Sequence, residues 1–151
     1  MDPEQGFFVR DYWAADYPHV ADIWERTGIS TPHRGDSAET IENTLRRNGR
    51  LLVLVQREKD LVVGTSWLTN DGRRVYLHHF AVDPDYQGQG LSKPLLKASL
   101  QIAREIGLQV KLEVHCDNEK AISLYKDFGF QRLGDYDIYI IRDLAEIKFE
   151  K

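Results

Sequence analysis

Apolar and polar positions change rhythm several times along the chain, and each change marks an element. Gly6 to Tyr12 opens as a strand, and Val20, Ile23 and Trp24 then recur at helical spacing. Asp16 stands where it can cap that helix, Pro18 falls in the first turn, and Gly28 ends it. The stretch 29–36 mixes Ser, Thr, Pro, His, Arg and Gly and reads as a loop. Ser37 caps a second short helix carrying Ile41 and Leu45 on one face, and Asn48-Gly49 stops it.

Strand rhythm follows. Leu51 to Gln56 is continuously aliphatic, and Leu61 to Leu68 comes after a charged turn at Glu58-Lys59-Asp60. Asn70-Asp71-Gly72 is a hairpin signal leading into Arg74 to Val82. Leu95, Leu96, Ser99, Leu100, Ile102, Ala103 and Ile106 mark an amphipathic helix closed by Gly107, and Val110 to Val114 is another strand. Asn118 caps a helix bearing Ala121, Ile122, Leu124, Tyr125 and Phe128, ended by Gly129. Two further strand-like runs flank Gly134-Asp135 between Phe130 and Asp143. The order β-α-α-β-β-β-α-β-α-β-β places the chain in the α/β class in its mixed α+β form. The expectation is one domain over 1–151, with six to seven mainly antiparallel strands and helices on both faces.

Composition narrows the classes. The 151 residues are 42% apolar and 29% charged, as in an ordinary globular domain with a core. A net charge of −4 argues against nucleic acid as a partner and suits a cationic one. Cys116 is the single cysteine, so no intrachain disulfide forms. The start lacks the pattern of a signal peptide, and Leu51 to Val55 is the longest aliphatic run. The chain is expected to be cytoplasmic, with no membrane partner and no metal.

The chemistry concentrates in Phe80-Ala-Val-Asp-Pro-Asp-Tyr-Gln-Gly-Gln-Gly-Leu-Ser-Lys93, where a strand, a tight turn, paired glycines and a helix start adjoin. Glycines let the backbone approach a ligand and take positive φ, and the N–H groups of a helix start bind phosphate oxygens. The P-loop spacing is absent, and Lys93 stands where the dinucleotide fingerprint needs its third glycine.

Gln87-Gly88-Gln89-Gly90-Leu91-Ser92 resembles motif A of the GNAT superfamily of acyl-CoA-dependent N-acyltransferases, with Ser92 in the position usually Gly or Ala. Leu112 to Phe130, with Asn118, Ala121, Leu124, Tyr125, Gly129 and Phe130 at the family spacing, is similar to its second signature. The resemblance implies transfer of an acetyl group from acetyl-CoA, bound as co-substrate, to a primary amine by direct attack in a ternary complex. It implies that the amides of Gly88, Gln89, Gly90, Leu91 and Ser92 hold the pyrophosphate, with Gln87 and Lys93 beside them. It sets the backbone of Phe80, Ala81 and Val82 along the pantetheine arm, with Asn118 touching that arm as well as capping its helix. A main-chain N–H near Val82 would polarise the thioester carbonyl.

Tyr125 matches the family tyrosine that protonates the departing thiolate, although helical periodicity alone assigns it to a core face. Something must also take the amine's proton. His78 is the leading candidate, with His79, Glu113 and a water behind it; family members use His, Glu or a water chain here. Strand alternation would set Tyr76, His78, Phe80 and Val82 on one face and Leu77, His79 and Ala81 on the other. The resemblance places the acceptor by the loop between the first two helices, near Trp24, Thr31, His33 and Arg34, with Trp67 and Tyr76 as walls. Arg34 would pair with a substrate carboxylate. A small-molecule amine is the expected acceptor; a protein lysine or N-terminus, and a module that binds acyl-CoA without turnover, are the alternatives. The apolar run Tyr136 to Ile141 offers a surface for a homodimer.

Overall fold

A computed structural model of the chain describes residues 3–30 and 34–150, so Thr31 and His33 of the expected acceptor loop lie outside the described residues. The chain divides into two compact units, the first running to Glu113 and the second beginning at Val114.

The first unit is built on one sheet in the order β1 (Phe7–Asp11), β2 (Arg50–Gln56), β3 (Leu61–Asn70), β4 (Arg74–Val82), β5 (Gln109–Leu112). The first four pair antiparallel, β2–β3 and β3–β4 through short turns and β1–β2 across the long connection 12–49, and β5 joins β4 in parallel. The β3–β4 turn is closed by its own side chains. Asn70 Oδ1 accepts from the Gly72 amide at 2.7 Å, and Asp71 Oδ1 accepts from Arg73 and Arg74 at 2.8 and 2.7 Å. Gly72 takes φ +80, which a side chain would resist.

Helices cover both faces. After the short α1 (Pro3–Gly6), α2 (Tyr17–Arg26) and α3 (Ala38–Leu45) pack on one face, where Val20, Ile23, Trp24 and Ile41 meet Leu51, Val53, Val55, Trp67 and Ala81. The indoles of Trp24 and Trp67 stack at 5.4 Å and 11° at the centre of this core. The crossover helix α4 (Ser92–Ile106) covers the other face, burying Leu95, Leu96 and Ala103 and joining Ser99 Oγ to Ser66 Oγ at 2.6 Å. Gly107 ends it at φ +81.

Local capping follows the sequence in two places and departs from it in one. Ser37 Oγ accepts from the Thr40 amide at 3.1 Å, and Asn118 Oδ1 accepts from the Ala121 amide at 3.2 Å. Asp16 makes no cap bond to α2. Its carboxylate turns back to the Trp13 amide at 2.7 Å and to both terminal nitrogens of Arg10 at 2.7 and 2.9 Å, a charge-assisted bidentate pair stronger than the single amide bond of a helix cap.

The second unit contains α5 (Glu119–Asp127), where the buried Tyr125 meets Phe130 edge-on at 5.6 Å. The Phe130 amide returns to the Tyr125 carbonyl at 3.0 Å as Gly129 turns the chain at φ +97. The sheet therefore has five strands, and the two runs expected between Phe130 and Asp143 form none. Tyr136 to Ile141 carries strand-favouring residues, but a strand exists only through its ladder partner. Among the described residues none pairs with this run, and its side chains are exposed.

Candidate active site

The Gly-rich loop has the geometry of an anion cradle. Asp83, Pro84 and Tyr86 form a tight turn after β4, and Gly88 and Gly90 follow at φ +80 and +75. Nothing lies within 4 Å of a Cβ built at either glycine. The backbone amides from Gly88 to Leu91 make no hydrogen bond among the described residues, and they lead into the N-terminus of the 15-residue α4. Unpaired amides converging with a helix dipole suit the oxygens of a pyrophosphate, and the exposed Lys93 lies in the first turn of that helix. The site therefore fits the phosphate end of acetyl-CoA. The Gln87 side chain faces inward, its Nε2 donating to the Val82 carbonyl at 2.9 Å, so it braces the loop.

A second brace was not foreseen. Arg26 at the end of α2 grips Asp83 through two bonds of 3.0 and 2.6 Å, and Asp83 also receives the Asp85 amide at 2.8 Å. Burial works to raise the Asp83 carboxyl, but the bonds from Arg26 and the Asp85 amide outweigh it and leave the pKa below its ordinary value. The Asp83 amide donates to Val63, so the loop's root is tied to both a helix and a strand.

Upstream of the loop, β4 carries a bulge. Thr65 pairs with Ala81 and Trp67 with His78, so His79 and Phe80 stand opposite the single residue Ser66. His79 takes φ +45, a costly conformation for a non-glycine residue. Thr65 Oγ1 holds it there by donating to the His79 carbonyl at 2.7 Å while accepting from Trp24 Nε1 at 2.9 Å.

The extra residue corrects the expected alternation. His78, opposite Trp67, and His79, whose ring meets Trp24 at 4.5 Å and Trp67 at 5.1 Å, both belong to the α2 side. Ala81 joins that side opposite Thr65, and Val82 pairs with Gly64 on the alternate phase. The parallel ladder between β4 and β5 covers Arg74 to Leu77 and stops there.

The two histidines differ in surroundings. His78 Nε2 lies 2.7 Å from Thr69 Oγ1; burial, then the neighbouring His79, pushes its pKa down, with Asp36 opposing. The ring therefore stays neutral further into the acid range than a free histidine. His79 Nε2 lies 2.7 Å from Asp36 Oδ2, with side chains 14% and 10% exposed, and Ser30 Oγ donates to the same oxygen at 3.1 Å. Asp36 was missed in the sequence, where it is one more polar residue of a loop.

The expected acceptor walls are only partly formed. Trp24 and Trp67 are 1% and 4% exposed, and their indole N–H groups are satisfied by Thr65 and Thr44. This corrects their assignment: they are core residues that back the bulge, because a stacked pair gains more from burial than from facing water. Tyr76 is half-buried, parallel to the His78 ring at 5.9 Å, and Arg34 folds onto its own loop, donating to the Ile29 carbonyl at 2.6 Å.

In the second unit, burial pushes the Tyr125 hydroxyl up to about 12. Asn118 is engaged in its cap, and Cys116 is exposed. Glu113, at the end of the first unit, is exposed. No helix among the described residues is long and apolar enough to cross a membrane.

Residues 9–130 match the model of the acetyltransferase (GNAT) family. Over 82 residues the chain is 40% identical to the N-alpha-acetyltransferase RimI of Mycobacterium tuberculosis, a match covering 52% of this chain and 51% of that protein. It is 41% identical over 70 residues to the spermine/spermidine N(1)-acetyltransferase of Bacillus subtilis, covering 45% and 46%. Among solved structures, the ribosomal-protein-S18-alanine N-acetyltransferase from Escherichia coli superposes with a TM-score of 0.70 at 26% identity, over 83% of this chain and 77% of that one. The chain spans about half the length of the curated relatives it matches.

Proposed function

The chain belongs to the acetyltransferase (GNAT) family, and from that premise we propose that it transfers an acetyl group from acetyl-CoA to the primary amine of a small molecule, by direct attack in a ternary complex. The observation that carries the reading is the loop itself: unpaired amides from Gly88 to Leu91, opened by two positive-φ glycines and feeding the N-terminus of α4. Acetyl-CoA supplies the activated acyl group as a thioester. The chain supplies position and proton management.

In this reading the amides from Gly88 to Ser92 hold the pyrophosphate, and Lys93 adds positive charge. Gln87 keeps the turn closed through Val82. Backbone of Phe80, Ala81 and Val82 flanks the pantetheine arm, and a main-chain N–H there polarises the thioester carbonyl. Asn118 also serves the pantetheine arm. A histidine of the β4 bulge receives the amine's proton, and Tyr76 and Arg34 serve the acceptor.

Tyr125 answers the departing sulfur. A phenol at about 12 is a weaker acid than an ordinary thiol, so complete proton transfer to sulfur is uphill. Tyr125 therefore works by donating a hydrogen bond that steadies the thiolate until it is protonated.

A second reading, acetylation of a peptide α-amine, is favoured by the similarity to two proteins named as N-alpha- or alanine N-acetyltransferases. A lysine side chain is the further protein-borne acceptor. Thiol release from acetyl-CoA, followed with spermidine, small monoamines, a lysine peptide and an alanine-initiated peptide, separates these readings. Turnover of the small amines above the peptides supports the proposal. Preference for the alanine-initiated peptide selects the second reading, and thiol release with no acceptor above background overturns both in favour of a non-catalytic acyl-CoA module.

A further inference from the structure

The bulge of β4 holds more than a strained histidine. His79 and Asp36 are 43 positions apart in sequence, yet Nε2 and Oδ2 meet at 2.7 Å with both side chains largely buried. A carboxylate only accepts, so Nε2 carries the hydrogen in this contact. In the neutral ring that leaves Nδ1 with the lone pair. Asp36 is itself held by the Ser30 hydroxyl at 3.1 Å, and the His79 ring is boxed by Trp24 and Trp67. The His79 backbone is pinned by Thr65. Ring, tautomer and backbone are thus each fixed by a separate group. His78 has a hydroxyl partner and no carboxylate of its own within hydrogen-bond distance among the described residues.

We infer that Asp36 and His79 form the proton-accepting pair for the acceptor amine, His79 accepting at Nδ1 and Asp36 acting as the positioning residue that holds the ring in that tautomer. The inference rests on the transferase reading above and deepens it. As the amine nitrogen forms its bond to the acetyl carbon, the carbon–sulfur bond breaks with its electron pair on sulfur. The proton shed by nitrogen passes to Nδ1, and the Asp36 carboxylate pairs with the imidazolium so formed. His79 then returns that proton to solvent and the thiolate takes one from solvent, so protons balance over the turnover.

The test has two arms on the full chain. Imidazole 15N spectra read the His79 tautomer directly: the expected wild-type state has hydrogen on Nε2 and a bare Nδ1, and Asp36→Asn redistributes it. Turnover with the best amine of the panel reads the chemistry. His79→Ala is expected to lose about a hundredfold in kcat with the KM for acetyl-CoA within about twofold, a range that leaves uniform binding intact. Added imidazole restores at least about tenfold of that loss, which repair of a packing defect alone does not produce. Asp36→Asn loses kcat in the same direction, and Asp36→Glu recovers part of it. Hydrogen on Nδ1 in the wild type, absence of imidazole rescue, or a loss confined to His78→Gln overturns the inference. Should Asp36→Asn fail to fold, the wild-type tautomer decides. Failure of the wild-type chain to turn over any amine counts instead against the transferase reading.

Discussion

Replacing Thr65 with valine tests whether the bulge is held by the hydroxyl at its centre. The side chain is fully buried, and Val matches its shape while removing the oxygen. That oxygen accepts from Trp24 Nε1 at 2.9 Å and donates to the His79 carbonyl at 2.7 Å. Thr65→Val therefore strands a buried indole N–H and a part-buried carbonyl in one step. A buried group left unsatisfied costs about 1–3 kcal/mol, so the pair sums to about 3 kcal/mol once His79 is allowed to relax. For a chain of this size that is about 6–12 °C in Tm. Thr65→Ser keeps the hydroxyl and loses one methyl, for about 0.8 kcal/mol. Urea denaturation of the three proteins supplies the comparison. Valine costing no more than serine would refute the reasoning, because packing and not the hydrogen bonds would then hold the bulge.

Other outcomes follow from the same geometry. Asp16 and Asp83 have depressed folded pKa values because bonds from Arg10 and Arg26 outweigh burial. Their stabilisation is fully present above the unfolded value of about 3.9 and is lost as pH falls through the folded values. Chemical denaturation between pH 6 and 2 should therefore show an acid limb that Asp16→Asn flattens, and an unchanged limb would contradict this. Tyr125→Phe removes a hydrogen bond to a charged sulfur, worth about 1.5–3 kcal/mol or about 10–150-fold in kcat, with little change in acetyl-CoA KM. Because Tyr125 is pushed up to about 12, wild-type kcat should show no falling limb from its ionisation below about pH 10. Gly49→Ala places a Cβ 2.6 Å from the Thr44 carbonyl oxygen and should destabilise by about 1–3 kcal/mol in thermal unfolding; a neutral result would mean that the α3–β2 junction yields.

Short-range signals in the sequence carried far. Asn70-Asp71-Gly72, the Ser37 and Asn118 caps and Gly107 each act through neighbours within a few positions, and each does what its chemistry dictates. The Gly-rich loop was legible for the same reason. What escaped depends on partners remote in sequence. Asp36 meets His79 across 43 positions and Arg26 meets Asp83 across 57, and no local pattern marks either pair. The bulge was invisible because strict alternation assumes one residue opposite one, and a single inserted residue resets which side chains share a face. Trp24 and Trp67 looked like pocket walls because aromatics serve both roles, and only burial separates them. Asp16 had the right position for a cap and found a stronger partner in Arg10. The run Tyr136 to Ile141 has strand composition, but composition supplies no ladder partner.

If the loop from Gln87 to Ser92 binds acetyl-CoA, thermal unfolding with and without the thioester reports that binding. Acetyl-CoA at about 100 times its dissociation constant should stabilise the folded chain by about 2.7 kcal/mol. Gly90→Glu, which puts a carboxylate and a side chain at φ +75 into the cradle, should remain folded and lose that shift. A folded wild-type chain whose melting temperature does not respond to acetyl-CoA would show that the loop holds no acetyl-CoA.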